Sequence, residues 1–283
     1  MSWDPRAPAR AADGAAAWAA AFLIAGCTTT STGTLVPPPQ SATPPAATGD
    51  RVTASDETET ARRARVRMEL ASAYFGRGQL TTALDEVKLA IAADPNNAAA
   101  YNLRGLIYAS LGDDRLAEES FRRALQLDPR DADTLQNYGW YLCQQKRYPE
   151  ADTLFRQALA VPNYRDTPRT LLTEGICQAR AGQWTQAEGT LTRSYELDPG
   201  NPAVAVNLSE VLYRRGEYER ARFHIRRVNA NPDIANAQTL WLAARIENRL
   251  GNRQGVQDYG TQLRTRFPRS AEAGAYDRGQ FDE

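Results

Sequence analysis

The sequence predicts an all-α solenoid of about six helix-turn-helix units, and three observations predict it. From Ala64 onward the chain repeats with a period near 34, and self-similarity at that spacing marks stacked supersecondary units. Each of the first five units carries two small residues twelve places apart, spaced for two helices that approach closely. Glycines and prolines then punctuate the pattern at fixed places, which a continuous coiled coil would not tolerate.

The leader comes first. Arg6 and Arg10 precede an apolar run of 11 residues, Ala15 to Ala25, and the small pair Ala25-Gly26 leads directly into Cys27. That run is too short to span a bilayer core, which takes about 20 residues. A basic start, a short apolar stretch and a small-residue site are the parts of a signal peptide, although Asp4 and Asp13 dilute the basic charge. Ile24-Ala25-Gly26-Cys27 resembles the lipobox of bacterial lipoproteins, with Ile24 where leucine is commoner. The expectation is a cleaved leader over 1–26 and acylation of Cys27. A buried helix with an ordinary thiol would leave the next segment unexplained.

That segment, 27–60, is rich in Thr, Ser, Pro and Ala, including Val36-Pro37-Pro38-Pro39. It has too few large apolar residues to offset the entropy of ordering, so it is expected to be a disordered, semi-extended tether. Two or more acyl chains give stable membrane attachment, whereas one is marginal. By resemblance to bacterial lipoproteins, Thr28 in place of aspartate after the cysteine favours the outer membrane.

The repeats fill 61–270, near 64–97, 98–131, 132–167, 168–201, 202–235 and 236–269. The second helices align on Ala83, Ala117, Ala151, Ala187 and Ala221, at spacings of 34, 34, 36 and 34. Twelve residues before each stands Ala71, Gly105, Gly139, Gly175 or Ser209. Large partners fill the adjacent gaps: Tyr74 and Val87, Tyr108 and Phe121, Leu142 and Phe155, then the weaker Gln178 and Leu191, Leu212 and Ile225. Gly78, Gly112, Gly182 and Gly216 mark the inner turns, where a left-handed backbone is cheap for glycine. Asp94-Pro95, Asp128-Pro129, Val161-Pro162, Asp198-Pro199 and Asn231-Pro232 stop the second helices. The third unit has two extra residues, around Val161 to Pro168, expected to lengthen a loop, whether as neutral variation or as a partner contact. The sixth unit is degenerate, with Gly251 at its turn, Gly255 replacing the small alanine and Phe267-Pro268 closing it. The tail, 271–283, reads as polar and frayed.

Composition narrows the function. Thirty-four basic residues balance 34 acidic ones, so nucleic-acid binding has no electrostatic support. No Cys/His cluster has metal-ligand spacing, and no phosphate-binding loop or nucleophile elbow is present. No catalytic residue, metal, cofactor or small-molecule substrate is therefore assigned. The sole histidine, His224, reads as a helix-surface or packing residue. Cys143 and Cys177 fall on first helices of adjacent units, at the twelfth and tenth places. An oxidising compartment permits a disulfide, but the two-place offset favours two separate buried thiols.

The unit pattern resembles the tetratricopeptide repeat, two antiparallel helices per unit. That resemblance implies a curved array with first helices lining the concave face, and groove positions at the second, fifth, ninth and twelfth places. Here they include Phe75, Asn102, Leu106, Gln136, Trp140, Leu172, Ile176 and Tyr213. Mixed aromatic, aliphatic and amide groups suit an extended peptide or strand, with about half of the set expected to be buried in packing between units. Trp140 is the foremost candidate anchor.

Asn137-Tyr138-Gly139 with Gln145-Lys146-Arg147-Tyr148-Pro149-Glu150-Ala151, and Tyr259-Gly260-Thr261-Gln262-Leu263 with Phe267-Pro268, resemble segments of the type IV pilus biogenesis/stability lipoproteins, the PilF/PilW family. The resemblance implies a non-enzymatic, pilotin-like lipoprotein. It would sit in the outer membrane through its lipid anchor, face the periplasm, bind pilus secretin subunits and promote their targeting and multimer assembly. The alternative is a general envelope adaptor that scaffolds cell-wall hydrolases or outer-membrane barrel insertion.

Overall fold

A computed structural model describes residues 58–282, which form thirteen α-helices. The leader over 1–26, Cys27 and the tether through residue 57 lie outside the described residues. The helices pair as α1 (Glu59–Gly76) with α2 (Leu80–Ala93), α3 (Ala98–Leu111) with α4 (Asp114–Leu127), and α5 (Ala132–Gln144) with α6 (Tyr148–Leu159). Then follow α7 (Thr167–Arg180) with α8 (Trp184–Leu197), α9 (Pro202–Arg214) with α10 (Tyr218–Asn229), and α11 (Ala237–Arg249) with α12 (Arg253–Arg266). A short α13 (Ala271–Asp277) ends the array. The solenoid starts slightly earlier than expected, because the Thr58 hydroxyl caps α1 by accepting from Ala61 N–H at 3.2 Å.

The two small residues of each unit do what their spacing predicts. Ala71, Gly105, Gly139, Gly175 and Ser209 are buried opposite Val87, Phe121, Phe155, Leu191 and Ile225, each fully buried. A Cβ on Gly105 would stand 2.8 Å from the Phe121 ring, and one on Gly175 2.6 Å from Leu191. The missing side chain is thus the space the large residue occupies, and helix separation is set by that interlock.

The turn inside every unit is a Schellman motif. In the first, Gly78 N–H donates to Phe75 O and Gln79 N–H to Tyr74 O, at 2.9 and 3.0 Å. The left-handed place is taken by Gly78, Gly112, Gly182, Gly216 and Gly251, but by Lys146 in the third unit, with φ of 61°. Asx-type caps on α3, α5, α9 and α11 satisfy the opposite ends: Asn97, Asp131, Asn201 and Asn236 each accept from a first-turn backbone N–H.

Three expectations need correction. The sixth unit begins at Ala237, one residue late. Val256 donates to Asn252 O as Ala83 does to Gln79 O, so Val256, not Gly255, takes the alanine's place. The tail is no frayed polar segment: Ser270 caps α13, and Ala273 and Tyr276 cover the cluster of Leu240 and Leu263. A terminal unit would otherwise leave that apolar surface to water. An added Cβ on Gly260 would collide with the Tyr276 ring, so this glycine is the notch that seats α13.

The third correction concerns the cysteines. Cys143 on α5 and Cys177 on α7 are joined by a disulfide, with Cα atoms 5.8 Å apart. Two places correspond to about 200° around a helix. Side chains so offset point to opposite sides of their own units, and stacked units present opposite sides to each other. The offset that argued against pairing is what brings the thiols together. The extra residues after the third unit fold back: Tyr164 packs toward Ala132, Leu135 and Ala158, and its hydroxyl lies 3.0 Å from Thr170 Oγ1.

Candidate protein-binding groove

Curvature follows from which helices meet. Each first helix comes backbone-close to the next first helix, α1 to α3 and on to α11. Among the described residues successive second helices stand further apart and meet only through long side chains, such as Arg220 of α10 with Glu188 of α8 at 2.6 Å. The first helices of the six units, α1, α3, α5, α7, α9 and α11, are therefore the crowded inner wall.

On that wall Phe75, Asn102, Leu106, Trp140, Leu172 and Ile176 are half-buried and keep some surface to offer. Gln136 and Tyr213 are buried, at 4% and 6% exposure, and belong to the packing between units. Tyr213 lies under Arg245, whose guanidinium carbon is 4.6 Å from the ring centroid. Units two and three are linked along the wall by Asn137 Nδ2, which donates to Asn102 Oδ1 at 3.3 Å. Trp140 carries the Arg180 guanidinium over its ring at 4.8 Å. Indole and arginine together make an amphipathic platform spanning α5 and α7, the two helices the disulfide clamps.

Behind that platform a small crevice is lined by Tyr148, Asp152, Phe155, Glu174, Cys177 and Gln178. Glu174 is 6% exposed and accepts from Gln178 Nε2 at a long 3.4 Å. Burial raises its pKa from 4.5 to about 7, Asp152 adding to the rise and Arg193 and Arg156 opposing it. Between these values the unfolded chain ionises while the folded one keeps its proton, so stability falls as pH rises from about 4.5 to about 7 and is level above. Glu174→Gln is expected to remove that slope and to stabilise the protein at alkaline pH by on the order of 2–3 kcal/mol. Urea titrations across the window check this, and an unchanged slope would refute it.

His224 packs edge-on against Tyr195 and Phe223, with centroids 4.7 and 5.2 Å away. Burial, then Arg220 and Arg227, push its pKa down. An open recess of about 680 Å³ is bordered by Tyr101, Arg104 and residues of α4, where Arg115 pairs with Glu119 and Arg122 with Glu118. Among the described residues no group of His, Cys, Asp and Glu is placed to hold a metal ion.

Sequence reasoning missed Trp241 and Arg245, which the corrected register puts at the fifth and ninth places of the sixth unit. Counting from the turn glycine, Gly251, rather than from Gly255 would have found them. Arg180 and Glu174 carried no local signal, since their importance comes from neighbouring units.

Profiles of the tetratricopeptide repeat match residues 71–112, 98–131, 120–153 and 178–243. The chain is 30% identical to the type IV pilus assembly protein PilF of Pseudomonas aeruginosa over 205 residues, covering 72% of this chain and 81% of that one. Its structure is similar to that of PilW, a widely conserved type IV pilus biogenesis factor, with a TM-score of 0.70 at 33% identity, covering 75% of this chain and 97% of PilW. The solved Pseudomonas aeruginosa PilF gives 0.68 at 27% identity, covering 78% and 100%.

Proposed function

Because the chain belongs to the PilF/PilW family of tetratricopeptide-repeat proteins, we propose that it serves type IV pilus biogenesis as a lipoprotein that binds secretin subunits. The observation that carries this reading is a pilus-assembly relative matched along most of its length. Acyl chains on Cys27 would hold the protein at the periplasmic face of the outer membrane, and the Thr/Pro tether would let the solenoid reach its partner. The inner wall is the binding surface, with Trp140 its anchor and the Asn102–Asn137 amides available to an extended backbone. Tethering raises the local concentration of secretin subunits at one membrane, so multimers form without covalent chemistry. No residue acts as a catalyst.

The test is the state of the secretin in outer-membrane fractions of a deletion strain, on gels that preserve its heat-resistant multimer. Multimer is expected to be lost with monomer retained, and to return with the unaltered gene but not with Cys27→Ser. Trp140→Ala, with its fold checked by circular dichroism, is expected to weaken secretin binding at least about tenfold, as buried tryptophan anchors do. Normal multimer and normal twitching in the deletion strain would overturn the reading and favour a general envelope adaptor.

A further inference from the structure

The sixth unit's stretch of inner wall is covered by the chain's own tail. α13 ends in a Schellman turn, in which Gly279 N–H donates to Tyr276 O and Gln280 N–H to Ala275 O, both at 3.0 Å, with Gly279 at φ of 68°. The turn sends the following residues back along α11. There the Phe281 ring lies against Trp241 with centroids 5.2 Å apart, and Tyr276 meets it edge-on at 6.0 Å. The Phe281 carbonyl accepts from Arg245 Nε at 3.4 Å, and Asp282 pairs with Arg249 at 2.9 Å.

Trp241, Arg245 and Arg249 are four residues apart and share one face of α11. They offer an aromatic floor, a donor to main chain and a cation for an acidic side chain. Arg245 is held ready by its seat over Tyr213 and is 8% exposed. These are the parts of a peptide-recognition site, and two consecutive tail residues use all three.

The tail divides into a fixed part and a loose part. α13 is seated by Tyr276 in the Gly260 notch, by buried Ala273 and by the Arg264–Asp277 pair at 2.7 Å. Phe281 is only half-buried, and Asp282 and Arg249 are 79% and 40% exposed, so that pair adds little stability.

We infer that the sixth unit's groove binds a short peptide segment carrying an aromatic residue followed by an acidic one, and that Phe281–Asp282 occupies it as an intramolecular stand-in which such a segment displaces. The site does not depend on which protein the solenoid serves. It adds a second contact at the far end of the wall from the first unit, about three units from Trp140.

A labelled peptide spanning residues 278–282, titrated by fluorescence anisotropy against the full chain up to about 1 mM, the effective-concentration scale of a short tether, tests this. Phe281→Ala in the full chain is expected to bind the peptide at least about tenfold tighter than the unaltered protein, the change for a tail docked about nine-tenths of the time. Asp282→Arg, at an exposed position that folding does not need, is expected to tighten binding in the same direction by about threefold. Adding Arg245→Ala to Phe281→Ala, or replacing the peptide's phenylalanine by alanine, is expected to abolish the gain. Equal affinity across the unaltered, Phe281→Ala and Asp282→Arg proteins, or no binding to any of them, would overturn the inference and leave the tail as a fixed cap.

Discussion

Phe155→Ala is expected to destabilise the solenoid by about 3–5 kcal/mol, the range for truncating a fully buried aromatic residue. The ring has no exposure and occupies the space left by Gly139, where an added Cβ would stand 3.0 Å from it. It also packs in the cluster that holds Tyr141, Leu142 and both cysteines, so its removal opens a cavity at the junction of α5, α6 and α7. Glycine cannot refill that cavity, and the backbone it belongs to is held by the helix on either side. Denaturant titration gives the measurement. A loss below about 1.5 kcal/mol would mean that the site collapses freely and that the interlock does not set helix separation. Helical content should survive in the variant, because the defect is in packing between helices and not in any helix.

Cys143→Ser is expected to cost about 3–4 kcal/mol, the chain-entropy value for a cross-link closing a loop of this length. The bridge joins residues 34 apart in sequence and ties the first helices of units three and four at the inner wall. In a repeat array each unit touches only its neighbours, so one covalent clamp at the centre couples the two halves more than any single contact does. The unaltered protein should lose the same stability on reduction, while Cys143→Ser should not respond to reductant. A variant within about 1 kcal/mol of the unaltered protein would show that packing alone holds the two units in register. Phe155 and the disulfide share one cluster, so the double variant should lose less than the sum of the two.

The positions proposed for the groove are largely legible in the amino-acid sequence alone. Trp140, Leu172 and Ile176 follow from counting places within a unit, because helix period alone decides which residues face the inner wall. Gln136 and Tyr213 fall at groove places by the same count but are buried. Counting does not say which members of the set are, because their exposure depends on what the next unit places over them. Arg245 closes over Tyr213 from α11, and no periodicity inside the fifth unit announces it.

What the sequence determined by itself is the unit: two helices, a left-handed turn, a small residue opposite a large one, and a proline stop. Each is a short-range steric rule satisfied within 34 residues, so composition at fixed places suffices to state it. Lys146 shows the limit even there, since the turn is made where glycine is absent. Only the tertiary structure decided the Cys143–Cys177 bridge, the register of the sixth unit, the seating of α13 and the path of the tail. All four depend on how one unit is rotated against the next and on which apolar surface is left over at the end of the stack. That rotation is the sum of many packing contacts between units, and no single stretch of sequence records it.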